Sequence, residues 1–471
     1  MKLQAIHGFP KTQSSARCCT NATSVASLDQ KSDAALAPEA RHRQNSLQLL
    51  ATERWIPGSP SFRPSFYLLF KLENFSMQKK IIALAIAGLA SSAAFAQSNV
   101  TIYGVMDITQ AAVKASGGTA ANSNLLSRTR LDSNSSLIGF KGSEDLGGGM
   151  KAIFQYESGI AADVAGAVAG GRDTYVGLTG GFGTVLMGTL THPIRLMGAK
   201  VDMNPGATSS AFVGSIFGKF AGFATGTDNR ATNTLAYVTP SFSGFTVTGA
   251  YINGEARSAD GAAVSTKTNS YQIAGEYENG PLYVGLGYHY AKDPQAAGAI
   301  AVPGTPASGL NGQVGANVFA NGAYNDKLKD WRLAASYKLP SNTTLSALWD
   351  SQKYDQSANA AATNAKRTAW MVAAKQSFGV TDVWLEYAKA NDVSGGVCSV
   401  AGFTCGDTGS HQWTLGASYS LSKRTMVHGY YTKITNDRAV AYDFYVNGAG
   451  ITAANNGSDP EAYGVGIRHT F

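Results

Sequence analysis

Pro460-Glu-Ala-Tyr-Gly-Val-Gly-Ile-Arg-His-Thr-Phe471 closes the chain, and its alternation decides the fold. Side chains of an extended strand point to opposite faces in turn. Tyr463, Val465, Ile467 and Phe471 therefore fall on one side, and Gly464, Gly466, Arg468 and Thr470 on the other. The apolar set suits lipid and the small or polar set suits a wet interior. Every earlier segment is then expected to be another strand of the same closed sheet.

Working outward, the same rhythm recurs. In residues 100–108, Ile102, Met106 and Ile108 share one face, against Thr101, Tyr103, Val105 and Asp107. In residues 150–157, Met150, Ala152, Phe154 and Tyr156 oppose Lys151, Gln155 and Glu157. Charges on one face and apolar groups on the other give the polar-inside, apolar-outside pattern of a membrane barrel, the reverse of a soluble one. Strands are expected at 100–108, 136–142, 150–157, 174–179, 183–190, 230–238, 244–252 and 269–277. Eight more follow at 282–291, 331–339, 343–352, 368–378, 381–390, 412–421, 424–434 and 461–471, which makes sixteen. Short connections such as 180–182, 278–281 and 379–380 alternate with long polar ones such as 293–327, 392–410 and 436–460. That alternation is what sixteen up-and-down strands require when one rim carries all the turns. Lipid offers backbone groups no partner, so closure with every ladder bond made is obligatory. The fold class is all-β: a 16-stranded antiparallel transmembrane β-barrel.

The N-terminal part reads differently. Residues 1–76 carry scattered charges and Pro57, Pro60 and Pro64, with no sustained period. Met77-Gln-Lys-Lys then leads into an apolar run from Ile81 to Phe95 and the small-x-small site Ala94-Phe95-Ala96. A basic start, a short apolar core and such an end make a secretory signal peptide, residues 77–96, cut after Ala96. The run is too short to span a membrane, which takes roughly 20 apolar residues. A signal peptide sits at the extreme N-terminus, so residues 1–76 read as a mis-assigned upstream start. Leu72-Glu73 can be encoded by a sequence containing a ribosome-binding GGAG shortly before the Met77 codon. A genuine cytoplasmic extension is the competing reading. The barrel is assigned to residues 97–471.

Removing the leader changes the charge argument. The chain is +7 overall, but residues 1–96 hold eleven Lys/Arg against five Asp/Glu, which leaves 27 basic and 26 acidic residues, net +1. Nucleic-acid binding, which a basic chain would invite, loses its support. The 53 Gly, 21 Tyr and 20 Phe, with no linker and no helical period of useful length, favour one large all-β unit over several soluble domains.

Val100-Thr-Ile-Tyr-Gly-Val-Met-Asp, Ile138-Gly-Phe-Lys-Gly-Ser-Glu-Asp-Leu-Gly-Gly-Gly-Met-Lys-Ala-Ile-Phe, Tyr175-Val-Gly-Leu-Thr-Gly-Gly-Phe-Gly-Thr-Val and the closing Gly-Ile-Arg-His-Thr-Phe resemble the Gram-negative trimeric porins, particularly the general porins of β-proteobacteria. The resemblance covers 97–471. It implies a multi-pass homotrimeric channel in the bacterial outer membrane, in contact with outer-membrane lipid and lipopolysaccharide, through which small hydrophilic solutes and ions diffuse passively. Phe471 resembles the insertion signal read by the barrel-assembly machinery. The resemblance also implies a third loop folded inward to narrow the pore, here Thr191 to Asn229, with Arg195, Lys200 and Lys219 against Asp202 and Asp228. It nominates Arg172 and Arg230 as lumen arginines. Where similar porins carry a further arginine this chain has Leu137.

Alternation adds Lys151, Gln155, Glu157 and Asp107 to the lumen, whereas Arg128 and Arg130 are left at the outer mouth. Rings of Arg or Lys favour anions and rings of Asp or Glu favour cations. Arg172, Arg230, Arg195 and Lys219 outnumber Asp107, Asp202 and Glu157, so a mild anion preference is expected. Pairing among these charges would leave a non-selective pore. Cys398 and Cys405, close together in one long loop of an exported chain, point to a disulfide; a metal site wants more ligands at close spacing, and no cofactor is implied. Tyr283, Tyr288, Tyr290, Trp331, Trp349, Trp384 and Tyr387 are expected near strand ends or at lipid-facing positions, as girdles would be, with a sugar-stacking slide as the alternative. A porin specific for organic acids or phosphate is the runner-up function. No nucleophile–base pair for a barrel hydrolase is legible, so no enzyme is expected.

Overall fold

The computed structural model describes residues 99–119, 124–164, 168–169, 171–207, 209–217, 228–257, 267–293, 327–355, 364–399, 405–444 and 456–471. The upstream segment 1–76, the leader 77–96 and Lys219 lie outside the described residues.

Among the described residues, eighteen strand segments form one antiparallel sheet. They are β1 (Asn99–Ser116), β2 (Leu125–Ser133), β3 (Leu137–Gly147), β4 (Met150–Ile160), β5 (Val168–Ala169), β6 (Thr174–Gly180), β7 (Gly183–Thr191), β8 (Arg230–Val238) and β9 (Phe245–Arg257). The second half comprises β10 (Lys267–Asn279), β11 (Leu282–Lys292), β12 (Lys327–Lys338), β13 (Thr343–Asp355), β14 (Asn364–Phe378), β15 (Thr381–Ala390), β16 (Ser410–Ser420), β17 (Thr425–Asn436) and β18 (Asp459–Thr470). Two wall strands are interrupted, so eighteen segments make sixteen strands. β2 and β3 run in series along β1, and β5 and β6 run in series along β4. The first break holds Ser135 at φ 54°, a left-handed backbone that no strand continues through. Asn134 fills that break by donating its backbone N–H to the Asp107 carbonyl and its side-chain amide to the Asp107 carboxylate.

The barrel closes where β18 pairs with β1, with Asp107 opposite Arg468. Phe471 completes the seam: its N–H donates to the Gly104 carbonyl and its carbonyl accepts from the Gly104 N–H, both at 3.0 Å. Its ring lies where a Gly104 side chain would go. Outside, the alternation of the last strand holds, with Val465 and Ile467 exposed and Ala462, Gly464 and Gly466 buried on the inner face. Short turns gather at one rim, as at Gly280 and Gly379, whose φ of 58° and 64° suit glycine. By the bacterial pattern that rim is periplasmic and the long connections face outward from the cell.

The interior differs from the uniformly wet lumen that alternation suggests. The segment after β7 forms a helix, α1 (Pro193–Val201), whose Pro193, Ile194, Met197, Gly198 and Val201 are buried. Ile194, Met197, Val201, Ile216 and Phe217 all have their side chains out of water. Met197, Val201, Ile216 and Phe217 join a cluster with the inward residues Ala274, Ala334, Leu348 and Met371 of β10, β12, β13 and β14. The loop is held inside because the wall is cut back to receive it. A side chain at Gly287 would stand 2.8 Å from Ile194 Cγ1 and 3.0 Å from Met197 Sδ. Gly287→Leu is therefore expected to unseat α1 by overpacking, at a cost of about 1–3 kcal/mol. Single-channel recording should then show a raised and noisier conductance from a barrel of unchanged heat resistance; an unaltered conductance would refute this seating.

A second segment, after β17, also turns inward. Val440, Tyr442 and Phe444 are buried in the same cluster as Ala365, Ala369 and Ile434. The Tyr442 hydroxyl accepts from Arg367 Nη1 at 2.6 Å. Cys398 and Cys405 are joined, with an S–S distance of 2.01 Å.

Candidate functional site: a charged constriction

Three guanidiniums converge where α1 approaches β4, β6 and β8. Arg172 stands just before β6, Arg230 opens β8, and Arg195 lies on the second residue pair of α1, so strand and helix ends aim them at one cavity of about 260 Å³. Each is fixed by a different acceptor. Arg172 Nε lies 3.2 Å from Glu157 Oε2. Arg230 Nε lies 2.9 Å from Asp173 Oδ1, which also accepts from the Thr191 hydroxyl at 2.7 Å. Arg195 Nη1 donates to the backbone carbonyl of Asp228 at 2.9 Å. Glu157 accepts further from the Tyr103 hydroxyl at 2.8 Å, so its position is set from two strands.

Arg332, on the inner face of β12 and 0% exposed, also lines this cavity. Its Nε and Nη2 donate to the two oxygens of Asp350 at 2.7 Å each. Its Nη1 and Nη2 donate to the two oxygens of Asp228 at 2.6 and 3.0 Å. The remaining Nη1 hydrogen goes to the carbonyl of Ile194 at 3.1 Å. All five donors of a guanidinium are then used. Ile194 and Asp228 belong to the two ends of the inserted loop, so one wall residue binds both.

The other nominated residues lie elsewhere. Lys200 sits at the far end of α1, 2.8 Å from Glu276 Oε2 and over the ring of Tyr283. Lys151 lies six residues along β4 from Glu157, about 20 Å by strand rise, beside the turn rim. Asp107 is buried against β18, its carboxylate taken by Arg468 Nη1 at 2.9 Å and His428 Nε2 at 3.1 Å. Asp202 is tucked under the loop and lines a different cavity with Lys375, Asp382 and Trp384. Arg130, expected at the outer mouth ahead of the second strand, lies within β2, bonded to Asp132 and to the Ser210 hydroxyl of the loop. Tyr283 and Trp384 are not lipid-facing. Both are buried on the inner face, where Tyr283 donates to Glu276 and Trp384 donates to the Asn204 side-chain oxygen. Their neighbours on the same parity, Gly285, Gly287 and Glu386, carried that signal.

A profile described as Gram-negative porin matches residues 83–439 of the chain. The protein is a Gram-negative porin. Outer membrane porin protein 32 of Delftia acidovorans is 29% identical over 400 residues, covering 84% of this porin and 100% of the relative. A major outer membrane protein P.IB of Neisseria gonorrhoeae is 29% identical over 358 residues, 74% of this porin and 91% of the relative. Among solved structures, the anion-selective porin from Comamonas acidovorans superposes with a TM-score of 0.60 at 28% identity, covering 80% of this chain and all of that one. The trimer form of OmpT of Vibrio cholerae shares the fold, with a TM-score of 0.54 at 15% identity, over 79% of this chain and 99% of that one. The porin is thus an outer-membrane β-barrel that forms a water-filled channel.

Proposed function

We propose that this porin admits small hydrophilic solutes and ions by passive diffusion, with a mild anion preference set at Arg172, Arg195 and Arg230. The observation that carries the reading is the acceptor of Arg195, a neutral carbonyl. Four guanidiniums, those of Arg172, Arg195, Arg230 and Arg332, then line the cavity with the three carboxylates Glu157, Asp173 and Asp228. Asp350, buried beyond the cavity lining, shares Arg332 with Asp228, and its added negative charge keeps the preference mild. A fixed charge on a low-dielectric wall concentrates counter-ions in front of it. One net charge at about 7 Å in water is worth about 0.6 kcal/mol, roughly a threefold bias. The name of the anion-selective Comamonas porin supports the sign.

The reversal potential in a potassium chloride gradient tests it. Wild type should favour chloride, and Arg172→Gln/Arg195→Gln/Arg230→Gln should lose that preference or favour potassium. A cation-selective wild type would overturn the reading. The trimer form of a structural neighbour supports a homotrimer. We read Met77 as the start and 77–96 as a cleaved leader with Ala96 as its last residue. Phe471 in the seam is suited to recognition by the barrel-assembly machinery, and the apolar outer face to lipid and lipopolysaccharide. The Cys398–Cys405 bridge ties an outer loop, and no reaction is assigned to any residue.

A further inference from the structure

Beneath the inserted loop, on its short-turn side, lies a second cavity of about 460 Å³ between residues 199–206 and the inner faces of β14 to β17. None of the constriction arginines lines it, and its wall carries both signs of charge in Asp202, Lys375 and Asp382. Four carboxylate oxygens meet in its deep corner, and three of them have donors. Asp202 Oδ1 accepts from the Asn204 N–H at 2.8 Å and from Asn204 Nδ2 at 2.9 Å. Glu386 Oε1 accepts from the Met203 N–H, and Glu386 Oε2 from Asn204 Nδ2 at 2.7 Å. The fourth, Asp202 Oδ2, is buried with no hydrogen-bond partner, on a residue only 9% exposed. Leaving a buried acceptor empty costs free energy that a donor entering the cavity would recover.

The barrel wall supplies the opposite charge. Lys375 stands directly across the ladder from Trp384, with Asp382 and Glu386 on its two diagonals, each about 7–8 Å away by strand geometry. Among the described residues, neither the Lys375 ammonium nor the Asp382 carboxylate has an ion-pair or hydrogen-bond partner. Apolar lining lies between the charges. Met203 and Met426 contribute to it, with the indole of Trp384, whose ring occupies the space that a side chain at Gly416 would need.

We propose that this cavity binds α-amino acids with a large apolar side chain, held as zwitterions. The ammonium donates to Asp202 Oδ2, the carboxylate accepts from Lys375 Nζ, and the side chain packs on Met203, Met426 and Trp384. The charges select this class. A plain carboxylate would face Asp202 and Asp382, and a plain amine would face Lys375, so each lone ion meets a like charge. A quaternary ammonium has no N–H and leaves Asp202 Oδ2 unfilled. An entering solute meets this site after the constriction.

Folded wild-type porin in detergent at neutral pH would be titrated with L-phenylalanine and followed by saturation-transfer NMR. Parallel arms use phenethylamine, which lacks the carboxylate, and hydrocinnamate, which lacks the ammonium. A hydrogen bond to a charged group is worth roughly tenfold or more in affinity, so L-phenylalanine should bind at least about tenfold tighter than either fragment. Lys375→Gln should bring L-phenylalanine down to the level of phenethylamine, while phenethylamine itself binds that variant no worse than wild type. Asp202→Asn presents an amide nitrogen or a neutral oxygen to the ammonium and should bring L-phenylalanine down to the level of hydrocinnamate. Heat resistance on gels checks that each variant is folded. Equal binding of phenethylamine or of hydrocinnamate to wild type would overturn the site, as would an L-phenylalanine affinity unchanged in Lys375→Gln or no binding to wild type. Binding is read on solubilised protein without current, so it stands or falls apart from the anion preference.

Discussion

Arg332→Met should open the constriction. The substitution leaves the fully buried carboxylate of Asp350 facing that of the half-buried Asp228, with no cation between them. Removing one partner of a buried ion pair costs about 3–5 kcal/mol, and here the wall ladder of β12 with β11 and β13 keeps all its backbone bonds. The cost therefore falls on the contact that can give way, the inserted loop, which Arg332 holds at Ile194, at Asp228 and by its approach to the Phe217 ring, 5.8 Å away. Single-channel conductance should rise, larger neutral sugars should pass in vesicle-swelling assays, and the chloride preference should fall because Arg195 leaves with the loop. Heat resistance of the barrel on gels should persist. Arg332→Lys should fall between, since an ammonium keeps the charge but offers three donors where five are used. The diagnostic variant is Arg332→Met/Asp228→Asn/Asp350→Asn. Removing the stranded charges should return conductance toward wild type, and a triple variant as open as the single one would show that the buried charge balance is not what holds the loop.

Alternation carried the wall almost unaided. The edges expected for 230–238 and 381–390 coincide with β8 and β15, because a Gly- or Pro-bearing turn or a change of period marks each end. Most other strands run further toward the long-loop rim than the apolar pattern does, as β1 to Ser116 and β14 from Asn364. Above the lipid, ladder bonds continue but the outer face no longer has to be apolar, so the period fades while the strand does not. The upper half of the second strand, β2, was missed for that reason and because Ser135 breaks the register below it. The constriction was legible only in part. Arg172 and Arg230 follow from the family resemblance rather than from alternation, whereas Glu157 follows from the parity of its own strand. Arg332 also sits on the lumen parity of β12, yet nothing local distinguishes it from any inward arginine. Its role comes from Asp228, 104 residues away in the chain, and such closure distances leave no mark in a sequence. Helix α1 did leave one, in Pro193 at its first turn and Ile194, Met197, Gly198 and Val201 at helical spacing. Nine residues inside a long loop are short for a periodicity argument to register.

Loop docking should also depend on pH, and the second buried acid of the loop sets the window. Beyond α1, Asn204 Nδ2 donates to Asp202 Oδ1 at 2.9 Å and to Glu386 Oε2 at 2.7 Å, bringing two carboxyl groups together across one amide. Glu386 also accepts from the Met203 N–H at 2.5 Å, so this corner pins the loop to β15. Burial pushes the Asp202 carboxyl up to about 6, against the hydrogen bonds from Asn204 that favour its ionised form. An acid whose value is raised in the docked state resists ionisation there. The part of the docked loop's stability that Asp202 carries is then fully present below the ordinary carboxylate value near 4 and is lost as pH rises from about 4 to about 6. The full difference is about 3 kcal/mol at 1.36 kcal/mol per pH unit of displacement. Conductance should accordingly be lowest and quietest near pH 4 and climb toward pH 6, with the anion preference weakening in parallel. Asp202→Asn removes the ionisation while keeping an acceptor for the Asn204 N–H groups, so it should hold the low-conductance state at neutral pH and flatten the profile between 4 and 6. A variant whose profile still climbs through that interval would move the titration to another group, and a wild type whose conductance falls over it would reverse the sign required by a buried, protonated Asp202.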